Sequence, residues 1–363
     1  MTAVLTKGLT KKYKEKTAVS GLDLSIEKGE LFSLLGVNGA GKTTTIRMLT
    51  CLSKPTSGEA FVSGHSTASE SAQVKRIVGI SPQDTAVAGN LTVRENLRLI
   101  AGIYGFSRER TAQRIDDMTR LFRLEEVLDS RAKTLSGGWK RKLSIAMALI
   151  SEPEVLFLDE PTLGLDVLAR RELWSAVKSL RGEDHDNPHH PLHGGGGTAV
   201  RPHCNNGRRQ DPRCRDPRGT GTADRRTGTG KRVRQNCRTG RRCRQMKKVL
   251  AFSSRNFKEL LRDPLSYIFC LGFPLIMLII MSVINESIPP EANMTLFRIE
   301  NLAGGIAVFG LSFVMLFTTL TVSKDRSGAF LVRLYATPMN SADFIAGYAL
   351  PCLLLAVLQS VIS

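Results

Sequence analysis

Residues 1–182 contain one histidine, His65, and one cysteine, Cys51. That half of the chain can build neither a disulfide framework nor a histidine–cysteine metal cluster, which suits a reducing cytosol. The opening stretch MTAVLTKGLTKKY lacks the apolar run of a secretory signal. Aromatic residues are missing altogether from residues 183–245, although the same stretch holds five of the six histidines and four of the seven cysteines. Their spacings show neither a paired C-x2-C nor a C-x2-C…H-x3-H pattern, so a zinc site is not expected. Without apolar bulk this stretch cannot offset its ordering entropy and is expected to be disordered. Acidic residues are scarce there too. Residues 201–245 set fifteen Lys and Arg against Asp211, Asp216 and Asp224, a large share of the net charge of +18. Such a charge run suits nucleic acid, but no stacking aromatics are interleaved with it, and no nucleic-acid partner is expected.

What is present begins at Gly36-Val37-Asn38-Gly39-Ala40-Gly41-Lys42-Thr43, a Walker A loop. It follows the strand-like run 30–35 and opens the helix-like run 44–49, the setting a phosphate-binding loop requires. Glycines such as Gly36, Gly39 and Gly41 let backbone N–H groups, Asn38 and Thr44 among them, curl around phosphate oxygens at a helix N-terminus. Lys42 would reach the β/γ-phosphates and the Thr43 hydroxyl would hold Mg2+. A second strand-like run ends in acid, Glu154-Val155-Leu156-Phe157-Leu158-Asp159-Glu160. Asp159 would hold Mg2+ through water, and Glu160 would orient or deprotonate the attacking water. The alternation of strand-like and amphipathic runs over residues 1–182 marks an α/β nucleotide-binding domain for ATP.

Between these two sites lies Leu135-Ser136-Gly137-Gly138-Trp139-Lys140-Arg141. It resembles the LSGGQ-type signature of ATP-binding cassette (ABC) ATPases, with Trp139 where Gln or Met is usual. Tyr13 looks like the aromatic that stacks on adenine in that family. Gln83 in GISPQD looks like the Q-loop that senses metal and the transport domain, and Leu163-Gly164-Leu165-Asp166 looks like the D-loop. The resemblance covers residues 1–182 and implies two cassettes arranged head to tail, with a homodimer expected. Ser136, Gly137 and Gly138 would then act on the partner's nucleotide.

The family also implies a further strand, a switch histidine and another strand after the D-loop, and none is readable after residue 182. Back-translation supplies a reason. Residues 187–195, read one base forward, permit ILTTHYMEE, which resembles the switch-histidine segment. Residues 200–206 permit SDRIAIM and residues 210–218 permit KIRAVGTPE, in the family's order. At Met246-Lys247 the codons ATG AAR, read one base on, contain the stop TGA. This looks like one gene ending on the start codon of the next, with the shift near Gly182-Glu183. The cassette would be truncated, its sheet edge uncovered by the two missing strands, and its ATPase activity poor.

From residue 246 the composition is ordinary again. Runs 265–284, 302–322 and 344–362 are apolar and long enough to span a bilayer, the third interrupted by Pro351. Lys247, Lys248, Arg255, Lys258 and Arg262 precede the first run, and Lys324, Arg326 and Arg333 follow the second. The positive-inside rule makes both groups cytoplasmic and leaves Glu286, Glu291 and Glu300 outside. The stretch KDRSGAFLVRLYATPMNSADFIAGY resembles ABC-2 type permeases, which carry about six spans and mostly export drugs, polysaccharides or lipids. About half of such a permease is expected here.

The fold expected is an α/β P-loop NTPase, an ABC cassette truncated at residue 182. A disordered segment follows over 183–245, then an all-α transmembrane fragment over 246–363. Its expected place is the cytoplasmic membrane, ATPase domain inside, with a second cassette, an ABC-2 permease subunit and the bilayer as partners. The rivals are a soluble non-transport ABC ATPase, disfavoured by the spans, and a nucleic-acid binder using the Arg-rich stretch. Sequencing of the gene over codons 175–250 is expected to show an added base, or two lost, near codon 182. A nucleotide sequence that cannot encode ILTTHYMEE in the neighbouring frame would end the idea.

Overall fold

In the computed structural model, which describes residues 2–37, 39–179, 197–200, 229–287 and 299–362, two long strands come first. β1 (Thr2–Tyr13) and β2 (Lys16–Glu27) pair antiparallel and bury Val4, Leu9 and Ile26. β3 (Phe32–Leu34) leads through the Walker A loop into α1 (Lys42–Leu49). β4 (Ser57–Val62) and β5 (His65–Ser66) complete the first sheet, in the order β2-β1-β4-β5. α2 (Ser71–Ile77) precedes β6 (Val78–Ser81), and α3 (Val93–Ile103) and α4 (Arg108–Phe122) follow it. α3 starts at a capping box in which Thr92 and Glu95 satisfy each other's backbone N–H groups. Next come α5 (Gly137–Leu149), β7 (Val155–Leu158) and α6 (Val167–Ser179). β6 and β7 are parallel neighbours and every residue in both is buried, which is why β7 reads Val-Leu-Phe-Leu without alternation.

β8 (Gly197–Val200) lies between β3 and β7, giving the second sheet the order β3-β8-β7-β6. This corrects the expectation of an uncovered edge, because the gap left by missing strands is interior and β8 fills it. Backbone N–H and C=O groups on both flanks need partners, and a short small-residue strand supplies them. It does so antiparallel to β3 and β7, whereas a crossover from β7 through α6 ordinarily returns parallel. The expectation of disorder over 183–245 also needs amending at its end. α7 (Thr229–Leu261) begins inside that stretch, where Arg, Lys and Gln favour helix once no β-branched run opposes them. The hidden-frame segments at 187–195 and 210–218 lie outside the described residues.

The membrane portion continues through α8 (Pro264–Tyr267), a π-helical turn at Ile268–Gly272 and α9 (Phe273–Ser287). α10 (Ile299–Ser327), α11 (Ala329–Tyr335) and α12 (Ser341–Ile362) follow. Among the described residues three stretches are long and apolar enough to cross a membrane, Ile268–Ser287, Gly304–Ser327 and Ser341–Val361. Pro351 does not interrupt the third. Proline deprives the carbonyl four residues earlier, Gly347, of its helical donor, and Asn256 Nδ2 of α7 donates to that carbonyl at 3.0 Å. One turn earlier on α7, Phe252 packs where a Cβ on Gly347 would sit and meets Phe344 and Tyr348 edge-on. Phe252 is fully buried and belongs to the same hydrophobic cluster as Leu97 and Ile103 of α3, Leu143 and Met147 of α5, and Leu334 of α11.

Asn256→Ala is expected to lower stability by about 1–3 kcal/mol by orphaning the Gly347 carbonyl. Restoring Asn256→Ala with Pro351→Ala should recover most of that loss, because the backbone then bonds to itself. Thermal unfolding in detergent measures both, and additive losses would show that the two residues are not paired.

Candidate ATP-binding site and its connection to the membrane helices

The described Walker A residues lie between β3 and the start of α1. Gly39 and Gly41 hold φ of 91° and 85°, a left-handed backbone that glycine alone adopts without strain. A Cβ at Gly41 would also collide with the Ala18 carbonyl. This leaves the loop open ahead of α1, whose first residue is Lys42. The Lys42 ammonium folds back over the loop, 2.5 Å from the Gly36 carbonyl oxygen and 3.4 Å from that of Val37. It is 7% exposed. Thr43 and Thr44 follow in the first turn of α1, and Asn38 lies outside the described residues.

β7 delivers Asp159 to the same place. Its carboxyl is buried, with Oδ1 lacking a hydrogen-bond partner among the described residues. Burial raises its pKa, against which a hydrogen bond from Thr43 pulls down. A buried carboxylate with one idle oxygen beside a threonine hydroxyl fits a hydrated Mg2+, since both groups are hard oxygen donors. Glu160 follows with φ of 46°, an uncommon conformation for a residue with a side chain. Gln83 Nε2 donates to its Oε2 at 3.0 Å, so the structure brings Gln83 and Glu160 together.

Ser136, Gly137 and Gly138 open α5, and the Ser136 hydroxyl makes no capping bond to its own helix. No hydrogen bond among the described residues joins them to Lys42, Thr43 or Asp159. Asp166 caps α6, accepting from the Ala169 N–H at 2.7 Å. Tyr13 is 46% exposed at the end of β1, with the Lys11 ammonium 5.0 Å from its ring centre.

Arg141, quoted in the signature string without a role, ties these loops together. Its guanidinium is buried and donates to the carbonyls of Pro82, Gln83, Asp159, Glu160 and Pro161. One turn on in α5, Ser144 Oγ lies 3.1 Å from Ser81 Oγ and accepts from Arg333 Nη2 at 2.6 Å. Arg333 belongs to α11, on the membrane side of the chain. Burial, then the neighbouring Arg141 charge, pushes its pKa down to about 9. A second junction joins α3 to α7. Glu95 accepts from Lys258 at 2.9 Å and from Arg262 at 2.5 and 2.9 Å. Burial alone would raise the Glu95 pKa, but Arg262, the Thr92 N–H and Lys258 prevail and bring it to about 2. Charge runs read by sign lead to an expected orientation of the spans, whereas these pairings needed the fold.

Residues 19–163 match the family model described as "ABC transporter", and residues 247–363 match the one described as "ABC-2 type transporter". The chain joins an ABC transporter ATP-binding cassette to an ABC-2 type transporter segment. A phospholipid-transporting ATPase of Homo sapiens is 42% identical over 47% of this chain and 10% of its own length. A Nod factor export ATP-binding protein of Cupriavidus metallidurans is 41% identical over 50% of this chain and 60% of its own. A daunorubicin resistance ATP-binding protein of Streptomyces coeruleorubidus is 41% identical over 50% of this chain and 57% of its own. The chain thus covers less than two thirds of each of these relatives. A solved ATP-binding subunit of an ABC transporter shares 32% identity at a TM-score of 0.46, over 50% of this chain and 75% of that one.

Asp159→Asn is expected to raise the melting temperature of the nucleotide-free chain while weakening Mg2+-dependent ATP binding roughly tenfold or more. A raised carboxyl pKa destabilises the fold at pH above it, and the penalty fades as pH falls toward the ordinary carboxylate value. The variant should lose that pH dependence. A lower melting temperature with unchanged Mg2+·ATP affinity would show that Asp159 is a structural acid.

Proposed function

We propose that two copies of the cassette close around Mg2+·ATP and that hydrolysis there drives efflux across the cytoplasmic membrane through an ABC-2 permease. In this reading residues 1–182 are the ATPase domain, 183–245 a shifted-frame joint and 246–363 part of the permease. Tyr13 stacks on adenine. The loop glycines Gly36, Gly39 and Gly41, with Asn38, Lys42, Thr43 and Thr44, hold the phosphates. Thr43, Gln83 and Asp159 hold Mg2+, which when bound shields phosphate charge. Glu160 activates water, while Ser136, Gly137, Gly138 and Asp166 serve the dimer interface. Efflux is supported by the names of the relatives, two of which speak of export or drug resistance.

The observation that carries the coupling is one run of contacts, buried from Arg333 to Ser81 and exposed where Gln83 meets Glu160. Arg333 of the membrane portion bonds to Ser144, which bonds to Ser81, two residues before Gln83. Gln83 in turn holds Glu160. Movement of α11 therefore bears on the residue proposed to activate water, and closure around nucleotide bears on α11.

Glu160→Gln is expected to keep ATP affinity and to lower turnover of the membrane-embedded chain by about a hundredfold. Arg333→Met should keep the cassette folded, because it removes a buried cation of which Nε and Nη1 have no partner among the described residues. Its turnover is expected to fall about tenfold at unchanged ATP affinity. Wild-type rates in Glu160→Gln would remove the catalytic assignment, and wild-type rates in Arg333→Met would remove the coupling path.

A further inference from the structure

A cavity of about 400 Å3 lies where the cassette meets the membrane helices. One wall is a single face of α10, with Phe317, Leu320, Thr321 and Lys324 at helical spacing. Leu265 of α8 stands opposite, and Leu265 and Leu320 are 57% and 52% exposed. Leu320 lies within a span-length apolar stretch and Leu265 three residues before another, so both belong at the depth of acyl chains. One turn nearer the cassette the lining becomes cationic, with Lys324, Lys133 from the cassette, and Arg255 and Arg262 from α7.

The arginines are already engaged. Arg255 is bidentate to Asp325, and Arg262 is held by Glu95. Of the cavity's carboxylates, Asp325 also accepts from Tyr348 and Glu259 accepts from Asn90. Asp263 is the third. Four cations thus face three carboxylates. Neither Lys133 nor Lys324 has a side-chain hydrogen bond or ion pair among the described residues, and both are exposed. Apolar side chains below and two uncommitted ammonium groups above match a phosphate ester carrying a hydrocarbon tail.

We propose that this cavity binds an anionic phospholipid of the cytoplasmic leaflet, with its phosphate at Lys133 and Lys324 and its acyl chain along Leu265, Phe317 and Leu320. Since Lys133 belongs to the cassette and Lys324 to the membrane helices, the lipid would bridge the two. The inference rests on the membrane reading of α10, and lipid retention is measured without ATP turnover, so either can fail alone.

The test is native mass spectrometry of the full chain in detergent, titrated with phosphatidylglycerol. Lys133→Gln with Lys324→Gln should weaken retention roughly thirtyfold, since each cation near a lipid surface contributes about a fivefold gain. A control loses equal charge at exposed cations outside the cavity, Lys247→Gln with Arg326→Gln, and should retain lipid like wild type. All four substitutions are at exposed positions, so folding is not at stake. Equal loss in both variants would mean general surface attraction and would overturn the site, as would no loss in the first. Inorganic phosphate competing as well as phosphatidylglycerol would reassign the cavity to a free anion, and equal retention of phosphatidylcholine would remove the role of charge.

Discussion

The arrangement of the loops that carry Gln83 and Glu160 depends on one buried guanidinium. Arg141 has five N–H groups, and each finds a backbone carbonyl, two on the Gln83 side and three on the Asp159–Pro161 side. No carboxylate among the described residues bonds to it. Burial lowers its pKa, and the nearby charges of Asp159, Asp84 and Glu160 oppose that shift. A buried cation satisfied by carbonyls is sensitive to position, because moving any one loop leaves a donor idle in a low-dielectric interior. Gln83 and Glu160 are therefore held relative to α5, the helix that the signature opens.

The same helix meets the membrane portion through Ser144, one turn from Arg141. A second buried arginine there, Arg333, sits close enough for the Arg141 charge to disfavour its own. Two neighbouring buried cations raise the energy of the docked state, and the apolar cluster around Phe252, Phe330 and Leu334 offsets it. Strong attraction and local repulsion at one interface suit an element with two arrangements of similar energy. At the α3–α7 junction opposite charges meet directly. Glu95 is matched by two cations there, and its depressed pKa means that the contact holds at neutral pH and loosens as pH falls from the ordinary carboxylate range toward about 2.

What could be read from the sequence was local. The Walker A loop, the acidic end of β7 and the start of α5 are short strings whose meaning lies in residues a few positions apart. The three candidate spans were legible because apolar length suffices, although α10 extends beyond its run at both ends and α12 starts before its own. Arg141 was not legible as a hub, since its acceptors lie up to 59 positions away. The Glu95–Arg262 pair, 167 positions apart, crosses the whole middle segment. Pro351 misled for a related reason. Its cost to a helix is local, but the amide that relieves it comes from Asn256, 91 positions from the carbonyl it serves. β8 was beyond reach because nothing in Gly-Thr-Ala-Val specifies a strand; vacant hydrogen-bonding positions on β3 and β7 do.

The hydrogen bond between Gln83 and Glu160 has a consequence for how hydrolysis could be controlled. While Gln83 donates to it, one oxygen of the Glu160 carboxylate is occupied. To act on water, Glu160 must exchange this partner. Gln83 is held through its own carbonyl by Arg141 and lies two residues beyond Ser81, so its release is opposed by the contacts that dock α11. On the proposed reading, nucleotide-driven closure has to work against the Arg333 contact. Cargo that shifts α11 would lessen that opposition. Efflux and hydrolysis would then be linked by free energy shared through Ser144, with no residue of the membrane portion entering the nucleotide site itself.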